Sequence, residues 1–348
     1  MSTPVSPPPV IGSGYEGGIG DQVVNYFRRV RQGEMGALPA LGGFVVLIIL
    51  FSFLSGNFFT PLNLANLLTQ TATLMTLAMA LVFVILLGEI DLSAGVTSGV
   101  TASVFVVLVH NIQMNWILAL LIAFAVGMLI GTFIGFFVAR VGIPSFVVTL
   151  GLFLAIPGLQ LLIIGTGGAY RIETPEISAI MNKNLPIVTG WVLLGVAIAI
   201  DILISLWDRA RRRRAGVLNR PLTLMWARIG ALAVGGALFV ALMSVDRAAG
   251  RGSLNGVPIA HDAIEGVPIV VPIAVGLLWV GTFILDRTRY GRHLYAVGGN
   301  PEAARRAGIK VAGIKMSAFI VCSTLAVVAG LFDASRIGVV TASSGSQI

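Results

Sequence analysis

The sequence has few charged side chains and a single cysteine for its length. Charged residues make up 11% of its 348 positions, whereas an average soluble domain has about 25%. Its single cysteine, Cys322, excludes an intrachain disulfide and a cysteine-based metal cluster. Its three histidines, His110, His261 and His293, lie far apart along the chain. We therefore predict no metal site in this chain.

Sequence motifs for nucleotide binding and catalysis are also missing. The chain contains no Gly-x-x-x-x-Gly-Lys-Ser/Thr loop, so it does not bind ATP in that way. It contains neither a Gly-x-Ser-x-Gly elbow nor a His-Glu-x-x-His pair. A membrane-embedded enzyme is therefore the least supported class, and we predict no catalytic residue and no cofactor in this chain.

Hydrophobic residues make up 56% of the chain and gather in long continuous runs. A helix of about 20 apolar residues spans the hydrocarbon core of a bilayer. The runs are continuously apolar rather than alternating, which favours helices over a β-barrel. We predict an all-α fold, a polytopic transmembrane helical bundle of about nine spans. The predicted spans are Leu38–Leu54, Leu64–Leu87, Leu92–His110, Trp116–Ala139, Ser145–Gly165, Gly190–Trp207, Trp226–Val245, Pro268–Leu285 and Gly313–Phe332.

The distribution of Lys and Arg predicts the orientation, because cytoplasmic loops are enriched in these residues. Arg28, Arg29 and Arg31 precede the first span and predict a cytoplasmic N-terminus. Alternation of the spans then places 18 of the 23 Lys and Arg residues inside and 5 outside. The basic run Arg211–Arg214 falls inside, where we interpret it as a topology anchor on anionic lipid. The net charge of +8 thus reflects orientation, and we predict no nucleic-acid partner.

The chain divides into a tail and a membrane domain. Residues 1–34 form the predicted cytoplasmic tail, whose first part is rich in Pro, Gly and Ser and is expected to be disordered. Residues 35–348 form the predicted transmembrane domain, with a long cytoplasmic loop at residues 286–312. Two predicted external loops, Thr166–Val188 and Asp246–Val267, are either ordinary solvated loops or receivers of a soluble external partner.

Small residues recur at the spacing that allows close helix packing. Gly127, Gly131 and Gly135 form two overlapping steps of four residues, and the third span repeats this spacing from Gly95 to Ser103. In lipid, such steps let two backbones approach and gain dispersion contacts. We predict a compact bundle from them, and they carry no information on the substrate.

Two carboxylates lie between the second and third spans, in Gly88-Glu-Ile-Asp-Leu-Ser93. These two spans and their connection cover about 47 residues and the spans need about 40, so only a tight turn remains. We expect Glu89 and Asp91 at or near the membrane boundary. In one interpretation Asp91 or Ser93 caps the third span and Glu89 is solvated. In the other, Glu89, Asp91 and Ser93 belong to a transport pathway or its gate.

A short polar helix, Pro301–Ala307, is predicted between the last two spans. Asn300 is a good N-cap, Pro301 suits the first helical position, and Glu302 places negative charge at the helix start. Gly308 is a natural left-handed residue after the helix end. The helix falls in the last cytoplasmic loop. Because the spans contain few ionisable residues, we expect an external energy source and a soluble partner at this helix.

Three segments together carry a family resemblance. They are Gly88-Glu-Ile-Asp-Leu-Ser93, Ile143-Pro-Ser-Phe-Val-Val-Thr-Leu-Gly151, and Tyr290-Gly-Arg followed by Ala296-Val-Gly-Gly-Asn-Pro-Glu-Ala-Ala-Arg305. In these segments and their spacing, from Asn63 onward, the chain resembles the membrane permease subunits of bacterial ABC sugar importers, the ribose, xylose and galactose group.

The resemblance implies a permease domain at residues 35–348 whose coupling loop, residues 286–312, docks into a cytoplasmic ABC ATPase. It also implies a second permease copy, a periplasmic sugar-binding protein, the bacterial inner membrane, and ATP with Mg²⁺ bound by the ATPase rather than by this chain. The coupling positions that it implies are Asn300, Pro301, Glu302, Ala303, Ala304 and Gly308.

Two departures from the ribose type concern the cargo and the C-terminus. The sixth and seventh spans with the loop Asp208–Pro221 look like an insertion. Xylose-type permeases are similarly longer, so we expect D-xylose as the cargo. The family continues past the ninth span with further helices, so a chain that stops at Ile348 is expected to be truncated. The alternatives are another sugar, a signal molecule or a nucleoside as cargo, and an ATP-independent secondary carrier or channel.

Overall fold

The computed structural model describes residues 28, 30–31, 36, 38–165, 168–214, 216, 222–247, 253–254, 257–258 and 263–346. The helices in this part of the chain are α1 (Leu38–Leu54), α2 (Pro61–Ile85), α3 (Ala94–His110), α4 (Trp116–Phe136, continued by a π-helical turn at Phe137–Val141), α5 (Ser145–Ile164), α6 (Pro175–Asn182), α7 (Ile187–Arg214), α8 (Leu222–Met243), α9 (Val270–Arg287), α10 (Arg289–Gly299), α11 (Pro301–Arg306) and α12 (Val311–Ile337). The prediction for the tail at residues 1–34 falls almost entirely outside the described residues.

Four short strands accompany these helices within the described residues. Strand β1 (Ala169–Arg171) pairs antiparallel with β4 (Val339–Thr341), and β2 (Ser253–Leu254) pairs antiparallel with β3 (Val257–Pro258). The first predicted external loop is therefore structured in part, by β1 and α6. His261 and Asp262, in the second predicted external loop, lie outside the described residues.

The predicted all-α transmembrane class is confirmed. Every one of the nine predicted spans coincides with a helix in the described part of the chain, apart from small shifts at the ends. Seven of these helices are long and apolar enough to cross a membrane, whereas α1 and α3 are shorter, with 17 residues each. The crossing of the membrane by all nine stays a prediction.

The chain folds into two compact units. One consists of residues 1–63 and 186–263, and we call it the hairpin unit because α7 and α8 are its longest helices. The other consists of residues 64–185 and 264–348, and we call it the core unit.

The core unit is built around α12, which packs against α3 and α4. Glycines on α4 permit this approach. A Cβ atom on Gly131 would lie 2.6 Å from the carbonyl oxygen of Phe319, and one on Gly135 would lie 2.8 Å from the Cα atom of Met316. Any larger residue would force the two helices apart. The close packing predicted from the glycine spacing is confirmed, and α12 is the partner of α4.

In the hairpin unit, α7 and α8 pack against each other. The Arg228 guanidinium of α8 donates hydrogen bonds to Asp201 and Ser205 of α7. The basic run Arg211–Arg214, predicted as part of a loop, forms the last turn of α7 instead. Its positive charges lie at the negative end of the helix dipole, which stabilises this extension of the helix.

Candidate functional site at the cytoplasmic helix pair and the α2–α3 connection

The short polar helix predicted after Asn300 is present as α11. Asn300 is its N-cap, and its Oδ1 atom accepts hydrogen bonds from the amides of Glu302 at 3.1 Å and Ala303 at 2.9 Å. Pro301 occupies the first helical position. Gly308 has φ of +83°, the left-handed conformation expected after the helix end. The local signals in the sequence were therefore sufficient to define this helix.

Of the six coupling positions inferred from the resemblance, five are exposed and Ala304 is buried. Ala304 belongs to an apolar cluster with Leu294 and Val297 of α10. Glu302 is exposed and pairs with Arg305 at 3.0 Å, on the same helix. Helix α11 is thus attached to the bundle through one small residue and presents the rest of its surface to solvent.

Helix α10 is amphipathic. Leu294 and Val297 on its inner face are fully buried, whereas Arg292, His293 and Tyr295 on its outer face are exposed. Apolar residues three apart therefore fasten α10 to the bundle, and the opposite face is left open. Together, α10 and α11 form one exposed surface, which we call the cytoplasmic helix pair after the side of the membrane predicted for it.

Two hydroxyl contacts hold the start of α10. The Thr288 Oγ1 atom caps the helix by accepting a hydrogen bond from the Gly291 amide at 3.2 Å. The Ser317 hydroxyl of α12 donates to the Tyr290 hydroxyl at 3.1 Å. Burial raises the pKa of the Tyr290 phenol, and the hydrogen bond from Ser317 opposes this shift. Tyr290 therefore ties α10 to α12 as a neutral phenol.

The connection between α2 and α3, residues 86–93, enters the bundle. Helix α2 ends in a turn that closes at Gly88, whose φ is +72°. Glu89 lies near Lys315, but the Asp91 carboxyl group, 6% exposed, contacts the Cys322 thiol. Lys315 and Cys322 are seven residues apart on α12, a rise of about 10 Å along the helix. Asp91 therefore lies in the interior of the core unit, and its position at or near the membrane boundary stays a prediction.

The backbone of this connection has its polar groups satisfied by α5. The Ile90 amide donates to the Ser145 hydroxyl at 3.0 Å. The Thr149 hydroxyl lies 3.3 Å from the Ile90 carbonyl oxygen, to which it donates. Ser145 and Thr149 thus satisfy the backbone of Ile90, and residues of the second resemblance segment are the hydrogen-bond partners of the first.

The interpretation in which Glu89 is solvated is corrected, whereas the capping role falls to Asp91, which accepts hydrogen bonds from the backbone of Ser93 and of Ala94 at the start of α3. Glu89 is mostly buried, and its Oε1 atom lies 2.5 Å from Lys315 Nζ. Ser93 occupies the N-cap position of α3 without making a side-chain cap bond. Its amide and its hydroxyl instead donate to Asp91 Oδ1, at 2.9 Å and 2.7 Å. Asp91 thus organises the turn that precedes α3.

The third resemblance segment touches the same connection. A Cβ atom on Gly298 of α10 would overlap the carbonyl oxygen of Leu86. All three segments of the resemblance therefore meet at residues 86–93, although more than 50 residues separate Ile90 from Ser145 in the chain. Gly298 was not singled out from the sequence. A glycine at this position can indicate a close backbone contact, but the sequence does not show which segment makes that contact.

Several buried oxygen atoms of the core unit have no hydrogen-bond partner among the described residues. They are Thr73 Oγ1, Asp91 Oδ2, Thr97 Oγ1 and Ser323 Oγ. An unsatisfied buried polar group costs roughly 1–3 kcal/mol. These atoms lie on α2, the connection, α3 and α12. The described residues hold no group of three side chains suited to a metal ion.

Comparisons with known proteins give a consistent result. The family described as branched-chain amino acid transport system / permease component matches residues 63–348. The xylose transport system permease protein XylH of Escherichia coli (strain K12) is 31% identical over 311 residues, which cover 88% of this chain and 73% of that protein. The XylH protein of Haemophilus influenzae is 28% identical over 319 residues, 87% of this chain and 77% of that protein.

A further relative is the ribose import permease protein RbsC of Escherichia coli (strain K12), 27% identical over 321 residues, which cover 92% of this chain and 75% of that protein. No solved structure gives a significant match. These relatives confirm the resemblance that the three segments carry. Because the match covers most of the chain, this multi-pass membrane protein belongs to the family of transport-system permease components.

Proposed function

We propose that this chain is the membrane-spanning permease subunit of an ATP-driven ABC importer that translocates a monosaccharide, D-xylose. The observation that carries the proposal is the cytoplasmic helix pair, a capped and exposed helix attached to a transmembrane bundle whose chain has no ATP-binding loop. ATP and Mg²⁺ belong to the partner ATPase in this proposal. The chain itself performs no covalent chemistry.

The charge of the cytoplasmic helix pair favours an acidic partner cleft. Its exposed face carries Arg289, Arg292, Arg305 and Arg306, against a single exposed carboxylate at Glu302. Arg305 and Arg306 both pair with Glu302, at 3.0 Å and 3.5 Å, so this carboxylate is partly neutralised. A cleft with acidic rims would complement this surface and would speed association.

An exposed aromatic side chain adds an apolar anchor to this basic face. Tyr295 is 46% exposed and lies beside Arg292 and His293 on the outer face of α10. Aromatic and Arg side chains are the residues that most often dominate interface energies. The ATPase cleft that we propose therefore has an apolar pocket for Tyr295 within its acidic rim.

The orientation is supported by the asymmetry of basic residues. With the N-terminus in the cytoplasm, 18 of the 23 Lys and Arg residues fall on the inner side of the membrane, and the cytoplasmic helix pair is among them. The bacterial inner membrane is the location that this orientation and the permease relatives favour. A second copy of the chain and a periplasmic sugar-binding protein complete the proposed assembly.

The choice of D-xylose rests on the relatives and on the length of the chain. The two XylH proteins are 31% and 28% identical to it, and the RbsC protein is 27% identical. The α7–α8 hairpin corresponds to the extra length that favours the xylose type. Glu89, Asp91 and Ser93 are proposed as pathway or gate residues, because they lie where the non-helical connection enters a bundle with unpartnered hydroxyls.

A charge reversal at Glu302 tests the ATPase contact. In membranes that contain the permease and its ATPase, we expect Glu302→Lys to lower co-purification of the ATPase and uptake at least about tenfold, because it removes the carboxylate that orders Arg305 and Arg306 and sets three positive charges side by side on the helix that would enter the cleft. Folding should be unchanged, since Glu302 is exposed. Normal ATPase binding together with normal uptake by this variant would overturn the proposal.

Glu176→Lys is the matched control for this experiment. Glu176 follows Pro175 at the start of α6, just as Glu302 follows Pro301 at the start of α11, and it is exposed as well. The orientation places α6 on the outer side. We therefore expect Glu176→Lys to leave ATPase binding unchanged.

The cargo is tested by uptake of radiolabelled sugars into proteoliposomes with the cognate binding protein. We expect ATP-dependent uptake of D-xylose that a tenfold excess of ribose inhibits only weakly. A tenfold ratio in affinity corresponds to about 1.4 kcal/mol, so weak inhibition would mean that D-xylose binding is favoured over ribose binding by more than this free energy. Equal inhibition by ribose and xylose would refute xylose selectivity. Uptake without ATP would support a secondary carrier instead.

A further inference from the structure

The connection at residues 86–93 is in direct backbone contact with the cytoplasmic helix pair. A Cβ atom on Gly298 of α10 would overlap the Leu86 carbonyl oxygen and would lie 3.3 Å from the Leu87 Cα atom. Only glycine allows the two backbones to approach this closely. No flexible side chain separates the two backbones. A shift of α10 toward the connection therefore displaces Leu86 directly.

A second contact links the same connection to the base of α12. Glu89 Oε1 lies 2.5 Å from Lys315 Nζ, and both side chains are mostly buried. Helix α11 is joined to this region through the hydrogen bond from the Ile309 amide to the Ala304 carbonyl oxygen, at 3.0 Å. An ion pair that is partly shielded from water is stronger than one on the surface. Glu89 and Lys315 thus tie the connection to the chain that follows α11.

The far end of the connection reaches the interior of the core unit. Ile90 is held by the hydroxyls of Ser145 and Thr149, and Asp91 contacts Cys322 in α12. Asp91 then binds Ser93, the residue that immediately precedes α3. Residues 86–93 therefore form a continuous chain of contacts from the cytoplasmic helix pair to the start of α3.

We infer that this connection carries movement of the cytoplasmic helix pair to the start of α3, with Gly298 as the positioning residue of the transmission. The inference rests on the proposed function, because the proposed ATPase supplies the movement. It adds the path that the movement takes within this chain. Rigid packing is what makes a small displacement at one end reach the other.

Gly298→Ala tests the inference, with Gly299→Ala as the matched control. Gly299 is the next residue of the same helix, and an added Cβ atom there would meet no atom within 4 Å. The experiment uses the complete assembly of permease, ATPase and binding protein in proteoliposomes. For Gly298→Ala we expect ATPase binding within about twofold of the wild type but D-xylose taken up per ATP hydrolysed reduced about tenfold. For Gly299→Ala we expect both quantities to stay unchanged.

A labelling measurement reports on the connection itself. Ile90 is 54% exposed, whereas the native Cys322 is fully buried, so an Ile90→Cys variant carries one reactive thiol at the connection. We expect its rate of reaction with N-ethylmaleimide to differ about threefold between the nucleotide-free and vanadate-trapped assemblies. With Gly298→Ala in the same chain, we expect this difference to disappear. A purely structural role of Gly298 would leave the difference in place.

The outcomes separate the two proposals. If the wild-type permease binds no ATPase, the proposed function fails and the inference falls with it. If the wild type binds and transports, but Gly298→Ala behaves like Gly299→Ala in both measurements, only the inference is overturned.

A charge exchange decides the case in which Gly298→Ala does not reach the membrane. We then expect Glu89→Lys to lower uptake per ATP, because it places two positive charges side by side. The additional change Lys315→Glu should restore uptake in part. Wild-type coupling in Glu89→Lys would overturn the inference.

Discussion

The long helices of the core unit and of the hairpin unit contain similarly apolar stretches but bury their residues very differently. Helices α3 and α12 of the core unit are buried along most of one side, and α12 includes fully buried residues such as Phe319 and Ala326. In the hairpin unit, Gly190 is the sole buried residue among those described on α7, and those described on α1 include none. Apolar composition therefore identifies helices that suit lipid, whereas small residues and placed hydroxyls identify helices that pack together.

The two units also use their polar groups differently. In the core unit, hydroxyls such as Ser145 and Thr149 satisfy backbone groups of the α2–α3 connection. In the hairpin unit, an ion pair between Asp201 and Arg228 joins α7 to α8. Hydroxyl groups thus satisfy an irregular backbone in the core unit, whereas a charged pair joins two regular helices in the hairpin unit.

Substitution of Gly131 should produce the largest contrast between the units. We expect Gly131→Leu to prevent folding or to lower the free energy of unfolding by about 3 kcal/mol or more, because overpacking would push α4 away from α12. Gly235→Leu in α8 should change it by less than about 0.5 kcal/mol, because a Cβ atom there would meet no atom within 4 Å. Thermal unfolding in detergent measures the stability of both variants. Similar losses of stability would contradict the distinction between the units.

Loss of the Ser145 hydroxyl should have the next largest effect. In Ser145→Ala the Ile90 amide would lose its partner, and an unsatisfied buried donor costs about 1–3 kcal/mol. We expect reduced stability and a higher rate of maleimide reaction at an Ile90→Cys thiol. Ser52→Ala in α1 is the control, because this exposed hydroxyl donates only to the Ile49 carbonyl oxygen of its own helix. Unchanged stability of Ser145→Ala would show that water replaces the hydroxyl.

The ion pair of the hairpin should contribute less. We expect Asp201→Asn to destabilise the contact between α7 and α8 by about 1 kcal/mol, the typical scale of a polar contact between membrane helices. The exchange of both charges, Asp201→Arg with Arg228→Asp, should restore part of the loss. Uptake should stay near the wild-type level, because the pair lies outside the core unit. A loss of uptake at normal protein levels would assign the hairpin a direct part in transport.

The smallest effect is expected at an exposed apolar residue of the hairpin. Leu203 of α7 is 65% exposed, so Leu203→Ala should change stability by less than about 0.5 kcal/mol. Phe319→Ala in the core unit removes a fully buried ring and should cost about 3–5 kcal/mol. Unfolding of the two variants in the same detergent compares them directly. A large loss for Leu203→Ala would indicate a partner on that side of α7.

Much of the fold was predictable because its signals are local. Apolar runs placed the nine long helices, and Asn300, Pro301 and Gly308 defined α11, since a cap or a left-handed residue acts within one turn of the helix that it ends. The glycine spacing of α4 predicted close packing. It did not predict α12 as the partner, because any helix with a matching groove would satisfy the same spacing.

The hydrogen-bond and ion-pair partners of the α2–α3 connection were not predicted, for a physical reason. Residue counting left room for a turn, and water was assumed as the partner of its polar groups. In the folded chain the partners are Ser145, Thr149 and Lys315, which are distant in sequence and come close only when α5 and α12 pack beside the connection. No local pattern marks a hydroxyl as the partner of a distant amide.

Membrane residence, helix positions, the basic asymmetry and the capped cytoplasmic helix thus follow from composition and short-range pattern, because each depends on the chemistry of neighbouring residues. The meeting of three separate segments at residues 86–93 depends on which helices pack together. Helix packing depends on the shapes of the contacting surfaces. At Gly131, Gly135 and Gly298 a second backbone approaches so closely that no larger residue would fit.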